Sequence, residues 1–193
     1  MNRFKAEISK EELLSYEVVS FNGEIICIDR EEQLESAMSY LWNCSVVGFD
    51  TETRPTFKKG QRNNVALLQL SANGKAFLFR LNSIGLPKML TKFLSSEDVK
   101  KIGVAIHDDI KELKQLNSFE ARGFIDLQDL VKEYGIISAG LKKLSAIVLG
   151  YSISKRQQVT NWENESLTQA QQLYAATDAW VCLKIYETLI RGN

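Results

Sequence analysis

Val46-Val47-Gly48-Phe49-Asp50-Thr51-Glu52-Thr53 is the stretch on which the reading of this chain turns. Its four largely apolar leading residues predict a buried strand, and carboxylates follow at Asp50 and Glu52. Residues i and i+2 of a strand point to the same face, roughly 6–7 Å apart. Two acids on one face at the end of a buried strand repel each other and are costly to desolvate. A divalent cation would remove both costs; a solvated Asp-Thr-Glu turn is the plainer alternative.

On the N-terminal side, residues 1–16 predict a polar, partly helical lead-in. Val18–Phe21, Asn22-Gly23 and Glu24–Ile28 read as a hairpin, because Asn-Gly supplies the positive φ angles of a type I′ turn. Asp29 with Glu32 resembles a capping box. Leu34, Ala37, Met38, Leu41 and Trp42 then form an amphipathic helical stripe. On the C-terminal side, Arg54-Pro55 ends the strand. A basic loop with Lys58, Lys59 and Arg62 leads to strands Val65–Leu70 and Ala76–Phe79 around an Asn73-Gly74 turn. The middle of the chain is thus a three-stranded antiparallel meander with the acids at the end of its first strand.

Helical signal returns at 86–95. A short strand at 101–104 leads into a helix beginning within Ala105–Asp109. Phe124-Ile125 reads as another strand, and Asp126 as the N-cap of the helix after it. Leu141, Leu144, Val148 and Leu149 mark a helix stopped by Gly150. A polar connection over 151–166 carries Lys155, Arg156 and Trp162. Thr168 with Gln171 resembles a second capping box, opening a last helix that runs to about Ile190 and is apolar over much of its circumference. Strands first meander and then alternate with helices, which predicts a mixed sheet with helices on both faces.

The chain has 193 residues, 45% hydrophobic and 25% charged, which suits one domain with a sizeable core. No apolar run approaches a membrane span, and the charged N-terminus lacks the apolar centre of a signal peptide. Cys27, Cys44 and Cys182 are widely spaced and read as buried thiols of an intracellular protein. Formal net charge is +0, which argues against coating nucleic acid through a basic surface. Any contact with phosphates needs local basic groups or bound metal.

Two further segments carry acids. In the last helix Tyr174 and Asp178 are i and i+4, on one face. An Asp in so apolar a helix needs a partner, either a cation or a structural ion pair. In Gly103–Asp109, one of two adjacent acids faces inward. Asp109, with Leu113 and Leu116 on its side, is the choice, and Asp108 the reserve. His107 is the only histidine, which excludes multi-histidine metal sites. No nucleophile-elbow motif supports a serine triad. Trp42 and Trp180 read as core.

Asp50-Thr51-Glu52, Gly103-Val104-Ala105-Ile106-His107-Asp108-Asp109 and Tyr174-Ala175-Ala176-Thr177-Asp178 together resemble the three exonuclease motifs of the DEDDy 3′→5′ exonucleases, the superfamily of ribonuclease D and the Werner-type exonuclease domains. The likeness runs from about residue 25 to residue 190. Val65–Leu70, Leu141-Lys142-Lys143-Leu144, and Lys155 with Thr160-Asn161-Trp162 resemble the Werner-type branch. The resemblance implies an α/β, ribonuclease H-like fold. It divides the chain into a 1–24 lead-in with a hairpin strand and a 25–193 exonuclease domain, a single domain overall.

It also implies hydrolysis of phosphodiesters from the 3′ end of DNA or RNA, with release of nucleoside 5′-monophosphates. Asp50, Glu52, Asp109 and Asp178 would hold two Mg²⁺ or Mn²⁺ ions, and Tyr174 would orient the attacking water. Asp50 would bridge both ions. Lys58, Lys59, Arg62, Lys155 and Arg156 become candidate phosphate contacts, with ordinary solvated side chains as the alternative. Thr53, Leu67 and Trp162 are further nucleic-acid contacts, Trp162 either stacking on a base or packing under its loop, packing being the plainer reading. The partner is a nucleic acid with a free 3′ end, DNA ahead of RNA. The alternative is a catalytically silent, nuclease-like binding module.

Overall fold

The strand Val46–Thr53, which carries Asp50 and Glu52, lies inside the sheet. The structure, a computed structural model, describes residues 3–56 and 63–191. Its elements are α1 (Lys10–Leu14), β1 (Glu24–Ile28), α2 (Leu34–Trp42), β2 (Val46–Thr53), β3 (Val65–Ala72), β4 (Lys75–Arg80) and α3 (Leu81–Ile84). There follow α4 (Lys88–Leu94), β5 (Lys100–Gly103), α5 (Ile106–Leu116), β6 (Phe124–Asp126), α6 (Leu127–Leu130), α7 (Leu141–Leu144) and α8 (Gln169–Ile190). The strands form one mixed sheet in the order β1-β4-β3-β2-β5-β6.

Strands β2, β3 and β4 are the expected antiparallel meander. Asn73 and Gly74 turn β3 into β4 with φ of 48° and 78°, the left-handed conformation that Asn and Gly tolerate best. The outer strands β1, β5 and β6 each run parallel to their neighbour. Every residue of β3 is buried, as expected of a strand covered on both faces.

One face packs against α2, α4 and α5 through Leu34, Met38, Leu41, Leu90, Phe93 and Leu113. The other is covered by α8, whose Val181, Cys182, Ile185 and Leu189 join Ile102, Leu127 and Leu144. The Thr168–Gln171 capping box fixes where α8 begins. Among the described residues no helix is long and apolar enough to cross a membrane.

The hairpin expected across Asn22-Gly23 does not form. β1 pairs in parallel with β4, and Val18 makes a single bridge to Ser152. Gly23 is needed for close approach and not for a turn. A Cβ there would lie 2.0 Å from the Gly74 carbonyl oxygen, and Glu24 N–H donates to that oxygen at 3.0 Å. Phe21, ahead of it, is buried, and its N–H donates to Thr177 Oγ1 at 3.0 Å. A local turn signal has yielded to a tertiary strand pairing.

Near α2, the side chain that caps the preceding turn is Gln33, whose Oε1 accepts from Asp29 N–H and Arg30 N–H, each at 3.0 Å; Glu32 does not. Trp42 is 36% exposed and packs edge-on against Phe93 at the margin of the core. Trp180 is half-buried and stacks on Tyr151.

Candidate active site

Asp50 and Glu52 leave β2 toward the face covered by α8, because strand side chains alternate. Gly48 lies on that same face and lets the helix backbone come down onto the strand at Ala179. Asp178, next to Ala179, is thereby brought to the two strand acids. One carboxylate oxygen from each of Asp50, Glu52 and Asp178 lies within 4.8 Å of the others. Asp178 is 3% exposed, and its Oδ1 has no hydrogen-bond partner among the described residues. The three acids lie in a cleft of about 310 Å³ with Gln128, Lys155, Tyr174 and Cys182.

Asp109 approaches from the α5 side, and its carboxylate accepts from Thr51 Oγ1. Asp108 is exposed in an adjoining groove with Thr53, Arg54 and Lys111, and His107 is exposed as well. The start of α5 is held by Asp126, which the sequence identified only as the cap of α6. Its carboxylate accepts from Gln128 N–H at 2.8 Å, and also from Ala105 N–H and Ile106 N–H at 3.1 Å each. No local sequence signal marks that second role, since the bonds span 20 and 21 residues.

Asp126 clamps Ala105 in the left-handed region at φ 58°, ψ 37°. That conformation costs an L-residue with a Cβ roughly 1–2 kcal/mol. Ala105→Gly is therefore expected to stabilise the chain by about 1 kcal/mol, read as a higher urea midpoint at unchanged m-value. A lower midpoint would show that the Ala105 methyl contributes packing that outweighs the backbone cost.

Tyr174 is buried against Trp162, their ring centroids 5.9 Å apart. Trp162 and Leu67 are both 0% exposed and share one apolar cluster with Tyr174. Neither can stack on or touch a nucleic acid; they support the tyrosine from beneath. Leu67 is buried because β3 runs through the middle of the sheet, and the Asn161-Trp162 turn folds the Trp162 ring inward, the packing position also open to it from the sequence. Thr53 is half-buried, and its hydroxyl reaches Glu112 at 3.4 Å. Lys155 is an exposed side chain lining the acidic cleft. Arg156, also exposed, lines a neighbouring groove with Leu173, Tyr174 and Thr177. Lys58, Lys59 and Arg62 lie outside the described residues.

The charges are held under tension. Burial, then the charge of Asp178 and of Asp109, raises Asp50 well above the ordinary carboxylate range. Burial, then Asp50 and Asp178, pushes Glu52 up to about 10. Asp178 is raised by burial to about 6, with Lys155 and then Tyr174 pulling it down. Asp109 is raised to about 6, mainly by burial, against the hydrogen bond from Thr51. The Tyr174 hydroxyl is raised far above its usual value by burial and by Asp178 and Glu52, so it stays protonated. Clustered, desolvated carboxylates with an orphaned oxygen, offering oxygen donors only, fit a hard divalent cation such as Mg²⁺ or Mn²⁺.

Fold and site together define a class: a ribonuclease H-like α/β domain whose acidic cluster is compatible with metal-dependent catalysis. A family model described as 3′–5′ exonuclease matches residues 25–191, and the chain belongs to the 3′–5′ exonuclease family.

Among curated relatives, the bifunctional 3′–5′ exonuclease/ATP-dependent helicase WRN of Mus musculus is 38% identical over 77% of this chain and 11% of its own length. Exonuclease 3′–5′ domain-containing protein 2 of Drosophila melanogaster is 37% identical over 76% of this chain and 25% of its own. The chain thus spans about a tenth and a quarter of these relatives. The crystal structure of the Aedes aegypti Nibbler EXO domain superposes with a TM-score of 0.79 at 25% identity, covering 87% of this chain and 88% of that one. Trypanosoma brucei RNase D in complex with RNA U12 shares the fold, with a TM-score of 0.79 at 20% identity over 90% of this chain and 64% of that one.

Proposed function

We propose that this chain hydrolyses phosphodiester bonds from the 3′ end of a nucleic acid, releasing nucleoside 5′-monophosphates. The observation that carries the proposal is the convergence of Asp50, Glu52 and Asp178 oxygens within 4.8 Å at the base of a cleft, in a chain of this family. Asp50, Glu52 and Asp178 would hold one divalent cation, and Asp50 with Asp109 a second. Bound Mg²⁺ or Mn²⁺ would supply an ionised water near neutral pH and charge neutralisation at the phosphate.

The chain's own groups do the rest. Tyr174, kept protonated, acts as a hydrogen-bonding positioner of the attacking water and does not serve as a base. Leu67 and Trp162 fix its ring from below. Lys155, at the rim of the acidic cleft, meets a phosphate of the strand, and Arg156 a neighbouring one. The substrate is a nucleic acid with a free 3′ end. The likeness to the Werner-type branch supports reading DNA ahead of RNA, and the RNA-bound RNase D makes RNA the comparison to run.

The test is a 5′-labelled oligonucleotide, as DNA and as RNA, single-stranded and recessed, incubated with Mg²⁺ or Mn²⁺. The expected result is a ladder shortening from the 3′ end that EDTA stops and Asp50→Ala lacks. Tyr174→Phe is expected to slow turnover about a hundredfold at unchanged Mn²⁺ affinity, the loss typical of a misplaced reactant. Equal absence of digestion by wild type and Asp50→Ala on every substrate would replace this proposal with a silent binding module.

A further inference from the structure

We infer that Gln69 is a positioning residue of the acidic site, its side-chain amide holding the Asp50 carboxylate in place. The inference rests on the cation-holding role proposed for Asp50. Gln69 lies on β3 directly opposite Asp50 in the antiparallel β2–β3 register. Directly opposed residues share a face of the sheet, with Cβ atoms about 4.5–5.5 Å apart. Gln69 is 0% exposed, and neither its Oε1 nor its Nε2 has a hydrogen-bond partner among the described residues. A buried orphan amide of this kind is destabilising, and a leucine of similar size would avoid that cost.

The neighbourhood offers the amide little else. Its partner across β4 is Leu78. Leu67, two residues along the strand, is apolar, and the Ser71 hydroxyl on the other side donates to Lys75 O at 3.1 Å. On α8, Ala175 joins the cluster of Leu67 and Leu78, Ala176 that of Ala76, and Ala179 meets Gly48; each is 0% exposed and without a polar side chain. The Thr177 hydroxyl donates to Leu173 O and accepts from Phe21 N–H. Among the described residues the polar side chains left are the acids, Asp50 beside Gln69 on the sheet and Asp178 against Asp50 from the helix, its Oδ1 also orphaned, together with Tyr174 and the orphaned Trp162 Nε1–H in the cluster that holds Leu67 and Leu78.

An amide is suited to this place. Its two N–H groups can hold a carboxylate oxygen, and it brings no charge to compete with a cation for that carboxylate. Side chains that hydrogen-bond to metal-binding carboxylates fix their orientation, and losing one weakens metal affinity by about 10–100-fold. Gln69 would engage the Asp50 carboxylate when that carboxylate holds an ion.

The experiment compares wild type with Gln69→Met, which keeps length and burial but removes the hydrogen-bonding groups, and with Gln69→Leu as a second variant. Mn²⁺ affinity is measured by electron paramagnetic resonance of the free ion, and melting is followed in EDTA. The expected result is Mn²⁺ binding about 10–100-fold weaker, with a metal-free melting temperature equal to or above that of wild type. Unchanged Mn²⁺ affinity in a folded variant overturns the assignment while leaving the exonuclease proposal intact. Absence of Mn²⁺ binding by wild type overturns both.

Should neither variant fold, the side-chain amide resonance of Gln69 in ¹⁵N-labelled wild type decides the matter. It moves when Mg²⁺ is added if the amide engages the site. If it stays while Mg²⁺ binds, the assignment fails.

Discussion

Asp178→Asn is expected to abolish hydrolysis and, at the same time, to raise the stability of the metal-free chain. The loss of activity follows from removing one of the three carboxylates proposed to share a cation. That ion's charge stabilisation is worth several kcal/mol, or about three orders of magnitude in rate. The gain in stability follows from burial. Asp178 is 3% exposed, and its carboxyl is raised from 3.8 to about 6, chiefly by desolvation. A raised carboxyl binds its proton more tightly in the folded chain than in the unfolded one. Its penalty is therefore absent below the unfolded value near 3.8, grows as pH rises to about 6, and stays constant above that.

At pH 8 that penalty is on the order of 2–3 kcal/mol, and asparagine relieves much of it. Asp109, raised to about 6, and Glu52, raised to about 10, act with the same sign. The EDTA-treated wild type should accordingly melt at lower temperature as pH rises from 5 to 8, the variant should show a shallower fall, and added Mn²⁺ should flatten the wild-type curve. Melting curves across that pH range decide it. A variant that melts below wild type at pH 8 in EDTA would mean that the acid is stabilised by contacts other than a cation.

Gly48→Ala should be strongly damaging, its added Cβ meeting a closer backbone obstacle than at any other glycine described in this way. A Cβ at Gly48 would sit 1.8 Å from the Ala179 carbonyl oxygen, 2.8 Å from its carbon and 3.2 Å from Leu183 Cβ. Two of those obstacles are backbone, so no rotamer change relieves them; β2 and α8 must separate. Overpacking of this kind costs about 3 kcal/mol or more, a large share of the roughly 5–15 kcal/mol that holds a domain together. Because Asp178 precedes Ala179, the same separation carries it away from Asp50. Activity per folded molecule should fall by about a hundredfold or more. Urea midpoints and turnover at low temperature separate the two effects. Gly140→Ala, whose added Cβ meets nothing within 4 Å, serves as the stability control. Equal midpoints for the two variants would contradict the account of how α8 seats on β2.

Strand β2, the Asn73-Gly74 turn, the cap at Asp126 and the α8 capping box were all legible, because each rests on a few adjacent residues. The Asn22-Gly23 hairpin was misread for the same reason: the dipeptide carries a real turn preference, but Gly23 is taken up by its contact with Gly74. Leu67 and Trp162 show a different gap. Their types allow either a surface contact or a core position, and only packing under Tyr174 settles which. Between Asp108 and Asp109, the side of α5 that carries Leu113 and Leu116 already pointed to Asp109, and it is Asp109 that meets Thr51.

The sequence by itself determined the strand that carries Asp50 and Glu52, the helix that carries Tyr174 and Asp178, and the kind of chemistry such residues serve. Those facts follow from side-chain alternation, helical period and capping, which act over a few residues. Only the tertiary structure decided that Asp178 sits against Asp50, that the Asp109 carboxylate meets Thr51, and that Gln69 is buried beside the acids without a partner among the described residues. Desolvation and close packing depend on segments more than a hundred residues apart meeting at one place, as α8 meets β2 at Gly48.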